Sequence, residues 1–157
     1  VTGLGPSAPP PEDLAARVEV DAANTRFYRA FEELDLAAME RVWSRDDVVS
    51  CVHPGWQLLD GRESVMASWE GILGSTTRIR FRLRDKVVFV RGDVAWVYLV
   101  EQIEADQRGE AVHGFAQTTN IFRREEGEWR LIHHHAAPLP QREEPPPSRR
   151  APSRTLH

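Results

Sequence analysis

Val48-Val49-Ser50-Cys51-Val52-His53-Pro54-Gly55-Trp56-Gln57-Leu58-Leu59-Asp60-Gly61 is where the chain changes from helical to extended patterning. Its first five residues, rich in valine, predict a strand. Pro54 and Gly55 end it, since proline lacks the N–H that a ladder needs and glycine admits a tight turn. Beyond the Asp60-Gly61 turn, Val65, Trp69, Ile72 and Leu73 recur at three- and four-residue steps, which predicts a helix closed by Gly74. A titratable imidazole, His53, thus lies at a strand end with two indoles, Trp56 and Trp69, close by.

Upstream, Ala16, Val20, Ala23, Phe27, Ala30, Phe31 and Leu34 form one stripe of a long helix, with Arg17, Asp21, Asn24, Arg26, Arg29 and Glu33 expected largely off it. Asp35 offers an N-cap carboxylate to a second, short helix carrying Leu36, Met39, Val42 and Trp43. Downstream, residues 77–137 read as four strands joined by short turns. Arg78, Arg80, Arg82 and Arg84 alternate with Ile79, Phe81 and Leu83, so one face is cationic and the other apolar. Such a row faces solvent or a second subunit, with anion capture as the alternative. Arg91-Gly92-Asp93 matches an adhesion tripeptide, but Gly-Asp between two strands is hairpin chemistry. The strand from Val94 to Ala105 is apolar on both faces, which calls for helices on one and a second subunit on the other. Glu101 and Gln102 are its central polar residues. The reading is one α+β domain over residues 12–138. A flexible segment is expected over residues 1–11 and a disordered Pro/Arg-rich tail over residues 139–157.

Composition limits the partners. A chain of 157 residues with 41% hydrophobic content and five Trp buries one core. A net charge of −4 supplies no cationic field, which argues against nucleic acid and anionic membranes as partners. The single Cys51 forms no intramolecular disulfide and fits a reducing compartment as a buried thiol. No apolar run reaches membrane-spanning length, and residues 1–11 lack the basic start and apolar middle of a secretion signal. The expectation is a cytoplasmic protein.

Leu34-Asp35-Leu36, Asp46-Asp47, His53-Pro54, Gly61-Arg62-Glu63-Ser64-Val65 and Gly127-Glu128-Trp129-Arg130-Leu131-Ile132-His133, in this order, resemble the nuclear transport factor 2-like superfamily, also called SnoaL-like or ketosteroid-isomerase-like. The resemblance covers nearly all of residues 12–138. It implies a cone: a curved antiparallel sheet wrapped around the long N-terminal helix with two shorter helices, a pocket inside, and a homodimer formed through the sheet. The ending also resembles the association domain of calcium/calmodulin-dependent kinase II, a non-enzymatic hub on the same cone.

Carried over residue by residue, the resemblance puts His53 where ketosteroid isomerases have their general-base Asp. Asn120 falls on the carboxylic acid of their oxyanion hole, and Phe27 on its tyrosine, with Tyr28 about 100° further round the helix. Trp69 replaces a supporting aromatic. Matching the strands implies that Ile132, His134 and Ala136, and Tyr98, Val100 and Gln102, point into the pocket. Glu101, His133 and His135 would then lie on the opposite face.

Each candidate carries two readings. His53 is a general base or acid, or a histidine that packs the turn. Asn120 orients a ligand or satisfies a neighbour. Trp56 and Trp69 wall a flat ligand, or Trp69 is ordinary core. His133, His134 and His135 alternate across a strand, so at most two converge and no metal site is expected. The resulting expectation is an isomerase, cyclase or dehydratase that acts on a small apolar or polycyclic carbonyl compound by proton transfer. His53 and Asn120 would be catalytic, Phe27, Trp56, Trp69, Tyr98, Gln102 and His134 would bind the ligand, and no cofactor would take part. The alternative is a non-catalytic ligand-binding or assembly module of the same fold.

Overall fold

The computed structural model describes residues 11–140, so the expected flexible lead-in and Pro/Arg-rich tail lie almost wholly outside the described residues. Three helices and six strands follow in the order α1 (Pro11–Glu32), α2 (Leu36–Val42), β1 (Ser50–Val52), β2 (Leu59–Asp60), α3 (Arg62–Ser75), β3 (Thr76–Arg91), β4 (Val94–Gln107), β5 (Glu110–Glu125) and β6 (Glu128–Leu139). They make an α+β cone with one sheet of order β2-β1-β6-β5-β4-β3. The sheet is mixed, not wholly antiparallel: β1 runs parallel to β6, with Ser50 opposite His133 and Val52 opposite His135. β1 enters from α2 and joins the last strand of the chain, so no hairpin forces it to reverse.

α1 buries Val20, Ala23, Phe27, Tyr28 and Ala30 against the sheet, and Asn24 with them at 1% exposure. Asn24 and Tyr28 are one turn apart beside the expected stripe. The sheet wraps widely enough to cover both rows. Leu34 takes a positive φ of 54° after the helix. Asp35 then caps α2, its carboxylate accepting from the Ala38 N–H at 2.9 Å. α3 is capped from a distance, since Asp47 Oδ1 accepts from the Arg62 N–H at 2.9 Å. Gly61 has φ +85°, and a Cβ there would stand 3.4 Å from that same carboxylate. The Arg62 guanidinium donates to the carbonyls of Ser44 and Glu40. These bonds tie α3 to the end of α2 and the start of β1, which sets Trp69 against His53.

The strands from β3 onward are joined by tight turns. Arg108-Gly109 and Glu126-Gly127 each have positive φ at both residues, the conformation of two-residue hairpins. Gly92, with φ +57°, turns β3 into β4. The four arginines from Arg78 to Arg84 are exposed, and Arg78 reaches Asp106 at 3.8 Å.

Cross-strand partners share a face, and this corrects the expected parity of β4. His134 is buried and pairs with Asn120, and Asn120 pairs with Val97. The inward residues of β4 are therefore Ala95, Val97, Leu99 and Glu101, all buried, while Tyr98, Val100 and Gln102 lie on the outer face. In β6 the register slips between Ile121 and Phe122 of its partner, a bulge. Trp129 and Leu131 face inward before it, His134 and Ala136 after it. Ile132, expected inward, is only partly buried. Among the described residues no helix is long and apolar enough to cross a membrane.

Candidate functional site

His53 directly follows β1 and is 3% exposed. The following turn folds back on it: the Trp56 N–H donates to the His53 carbonyl at 2.9 Å, across Gly55 with φ +80°. Trp56 and Trp69 stand edge-on to the imidazole, at 4.9 Å and 4.8 Å between ring centroids. Trp69 is fully buried, whereas Trp56 is half exposed.

The hydrogen bonds assign the imidazole's tautomer. Ser68 donates its hydroxyl proton to the Val65 carbonyl at 2.7 Å. His53 Nε2, 2.9 Å from Ser68 Oγ, must therefore be the donor to it. Nδ1 keeps its lone pair. Its hydrogen-bonding partner among the described residues is the Cys51 sulfur at 3.9 Å, a weak donor that stands nearer, at 3.6 Å, to Nε2. Burial pushes the Cys51 thiol up to about 12 and holds the His53 imidazole down at about 4, so both are uncharged at neutral pH.

His134 is the second imidazole of the interior. Asn120 donates to Asn24 Oδ1 at 2.9 Å through its Nδ2, which leaves Asn120 Oδ1 to accept from His134 Nδ1–H at 2.6 Å. His134 Nε2 is then the bare nitrogen. Burial first, and then the neighbouring His53, His133 and His135, hold His134 well below its ordinary value. The rings of His53 and His134 are 6.2 Å apart, and both lie near Trp69. Phe27 stands 5.0 Å from His134 and 5.5 Å from Trp69.

The fold thus gathers His53, His134, Asn120, Phe27, Trp69 and Trp56 around one place. Tyr98 and Gln102 are not among them, since they lie on the outer face of β4. Asn120 spends its amide on Asn24 and His134. A separate groove of about 750 Å³ lies between α1, α2 and the β5–β6 turn, with Arg26, Arg41 and Arg130 in its walls and none of these residues in its lining.

Sequence reasoning did not place Asn24, Tyr28, Ser68 and Glu101 in the interior, where all of them are buried. The Tyr28 hydroxyl donates to Glu101 Oε1 at 2.5 Å. A signal was present for two of them: Glu101 interrupts an apolar strand, and Tyr28 follows Asn24 by one helical turn. Among the described residues no three His, Cys, Asp or Glu side chains converge as a metal site. His133 is bound instead to Ser50 Oγ at 2.7 Å, on the other face from His134.

The profile of the SnoaL-like domain matches residues 20–140. A structure from Streptomyces avermitilis, provisionally named a dehydratase of the NTF2-like family, is 38% identical, with a TM-score of 0.76 over 81% of this chain and 98% of that one. A structure from Thiobacillus denitrificans, provisionally named a calcium/calmodulin-dependent protein kinase type II association domain, is 34% identical, with a TM-score of 0.67 over 87% of this chain and 100% of the other. The F-box protein SKIP8 of Arabidopsis thaliana is 27% identical over 126 residues, 80% of this chain and 52% of its own length, so the chain spans about half of that curated relative. With this match over most of its length, and with the cone and its helix order in place, the chain belongs to the SnoaL-like family of the nuclear transport factor 2-like superfamily.

Proposed function

We propose that the protein is a cofactor-independent enzyme that moves a proton on a small apolar or polycyclic carbonyl compound, as an isomerase, cyclase or dehydratase. One observation carries this reading. His53 is a buried, neutral imidazole whose Nε2–H is committed to Ser68 and whose Nδ1 lone pair is not committed to any strong donor. Such a nitrogen is ready to take a proton at neutral pH. The negative charge that develops on an adjacent enolate would raise its basicity as the proton moves. Trp56 and Trp69 supply flat apolar walls beside it. The dehydratase name of the Streptomyces relative is consistent with this class of chemistry.

The test is proton exchange at the carbon next to the carbonyl of α-tetralone in D2O, followed by proton NMR. The wild type should exchange it faster than buffer alone, and His53→Ala should lose about 100-fold or more of that excess. Equal rates in the two proteins would refute the assignment of His53.

The second reading is an assembly module, and the outer sheet face favours it. Phe89 and Trp96 stack there at 5.2 Å, beside exposed Val87 and Val94. A second copy of the chain, packed sheet to sheet, would cover this patch. The dimer is compatible with either reading.

A further inference from the structure

The groove between α1, α2 and the β5–β6 turn holds about 750 Å³ and opens to solvent beside exposed Ala22, Arg26 and Arg41. A volume of that order is typical of a small-molecule site. Its floor is apolar and built of short side chains: Ala22, Ala23 and Ala30 of α1 and Val42 of α2, with Trp129 beside them. Ala22, Ala23, Arg26 and Ala30 recur at three- and four-residue steps, so they share one face of the helix. Methyl groups on that face leave open the space that longer side chains would fill.

The carboxylates of the walls are already engaged. Glu33 pairs with Arg29 at 3.4 Å, and Glu128 pairs with Arg130. Glu19 accepts from Trp129 Nε1 at 3.0 Å and from Arg124 at 3.3 Å. Arg130 also donates to the Arg41 carbonyl, which holds its guanidinium against α2. Arg26 on α1 and Arg41 on α2 are left over: among the described residues neither guanidinium has a carboxylate partner or donates a hydrogen bond. The groove thus concentrates unpaired positive charge in a chain whose net charge is −4.

Unpaired guanidiniums above an apolar floor match a ligand with an anionic head and an apolar body. A guanidinium makes charge-assisted, bidentate bonds to a carboxylate. The floor takes methylene groups out of water. A neutral apolar compound gains only the second of these, and an inorganic anion only the first. From Arg26 back to Glu19 the helix face extends about 10 Å, and the Glu19 bond to Trp129 puts the indole at that end. A chain anchored at Arg26 would cross Ala22 and Ala23 to reach it.

We propose that this groove binds an aliphatic carboxylate of the fatty-acid kind, with Arg26 and Arg41 holding the head group and the alanine face of α1 receiving the chain. The site is separate from His53 and His134 and does not rest on the proton-transfer reading.

The test titrates octanoate, and octanol as its neutral twin, into the nitrogen-15-labelled full chain at low salt. Octanoate should shift the amide signals of Ala22, Ala23, Arg26 and Ala38, with half-saturation at about 1 mM or below. Octanol should bind at least about 10-fold more weakly. Arg26→Gln and Arg41→Gln should each weaken octanoate by about 5- to 10-fold and leave octanol unchanged. Ala22→Leu keeps both charges and should weaken octanoate about 10-fold or more by filling the floor. All three side chains are exposed, so these variants keep the fold. Equal affinity for octanoate and octanol, or wild-type affinity in both arginine variants, overturns the proposal. So does a saturating shift confined to His53 and Trp69, which would put the ligand in the interior, and so does the absence of any saturating shift. A hexaglutamate peptide that moves the groove amides where octanoate does not would give the groove to an acidic protein segment and overturn the small ligand.

Discussion

His134 Nδ1 donates to Asn120 Oδ1 at 2.6 Å, and the amide nitrogen of the same Asn120 donates to Asn24 at 2.9 Å. One side chain on β5 therefore joins α1 to β6 through the middle of the core. Asn120→Ala strands a buried imidazole N–H and the Asn24 carbonyl at once. The expected cost is about 2–4 kcal/mol of stability, measured as a lower urea midpoint. A loss below about 0.5 kcal/mol would show that the two orphaned groups find other partners.

The buried histidines make stability depend on pH, and the sign follows from proton counts. His53 binds its proton near 6.5 when unfolded but at about 4 when folded, so between these values the unfolded chain holds more protons. Stability is therefore full above about pH 7 and falls as the pH drops, by about 3 kcal/mol from His53 alone once the pH reaches about 4. His134 shifts in the same direction and deepens the fall. Urea midpoints at about pH 7.5 and about pH 5 should differ accordingly, and His53→Gln should flatten part of the slope. An equal midpoint at both values would contradict the neutral, buried state of these rings.

Phe27 and Trp56 should separate cleanly in a mutant pair. Phe27 is fully buried among Tyr28, Phe31, Trp69 and His134, so Phe27→Ala should cost about 3–5 kcal/mol. Trp56 is half exposed, and Trp56→Ala should change stability by less than about 1 kcal/mol while weakening the binding of flat apolar ligands. Similar losses from both would mean that the turn at Gly55 is structural after all.

The outer sheet face gives a prediction about assembly. Trp96→Asp places a charge beneath the Phe89 stack, and analytical ultracentrifugation should show the wild type as a dimer and the variant as a monomer. A wild type that sediments as a monomer at micromolar concentration would remove the sheet-to-sheet arrangement.

Asp47 is predicted to matter despite its distance in sequence from the helix that it caps. Asp47→Ala frees the Arg62 N–H at the start of α3 and should cost about 1 kcal/mol in thermal or urea unfolding. Gly61→Ala should be destabilising as well, through its positive φ. A neutral Asp47→Ala would mean that water caps α3 equally well.

The helices were legible because their apolar residues repeat at 3.6-residue spacing, and the hairpins because Gly92, Gly109 and Gly127 stand between alternating runs. The gathering of His53, Trp69 and His134 was legible only through the resemblance, since no local pattern says that β1 lies against β6. The face of β4 was not legible. Tyr98 and Glu101 are each plausible neighbours of an apolar core, and only the chain of partners from His134 through Asn120 to Val97 decides between them. Asn24 and Tyr28 escaped for a related reason: how wide an arc of α1 is buried depends on how far the sheet wraps it.

The bulge in β6 makes residue count a constraint in its own right. The strand presents Leu131 and His134 to the same interior although they are three positions apart, so one residue there serves as a spacer and not as a contact. Removing Ile132 would leave Leu131 and His134 two positions apart, the spacing at which a regular strand keeps side chains on one face, so the strand would lose its bulge and keep its interior set. Without the bulge, the present spacing of three would send Leu131 and His134 to opposite faces. An irregularity in the backbone, more than the identity of the residue that forms it, thus decides which side chains reach the interior.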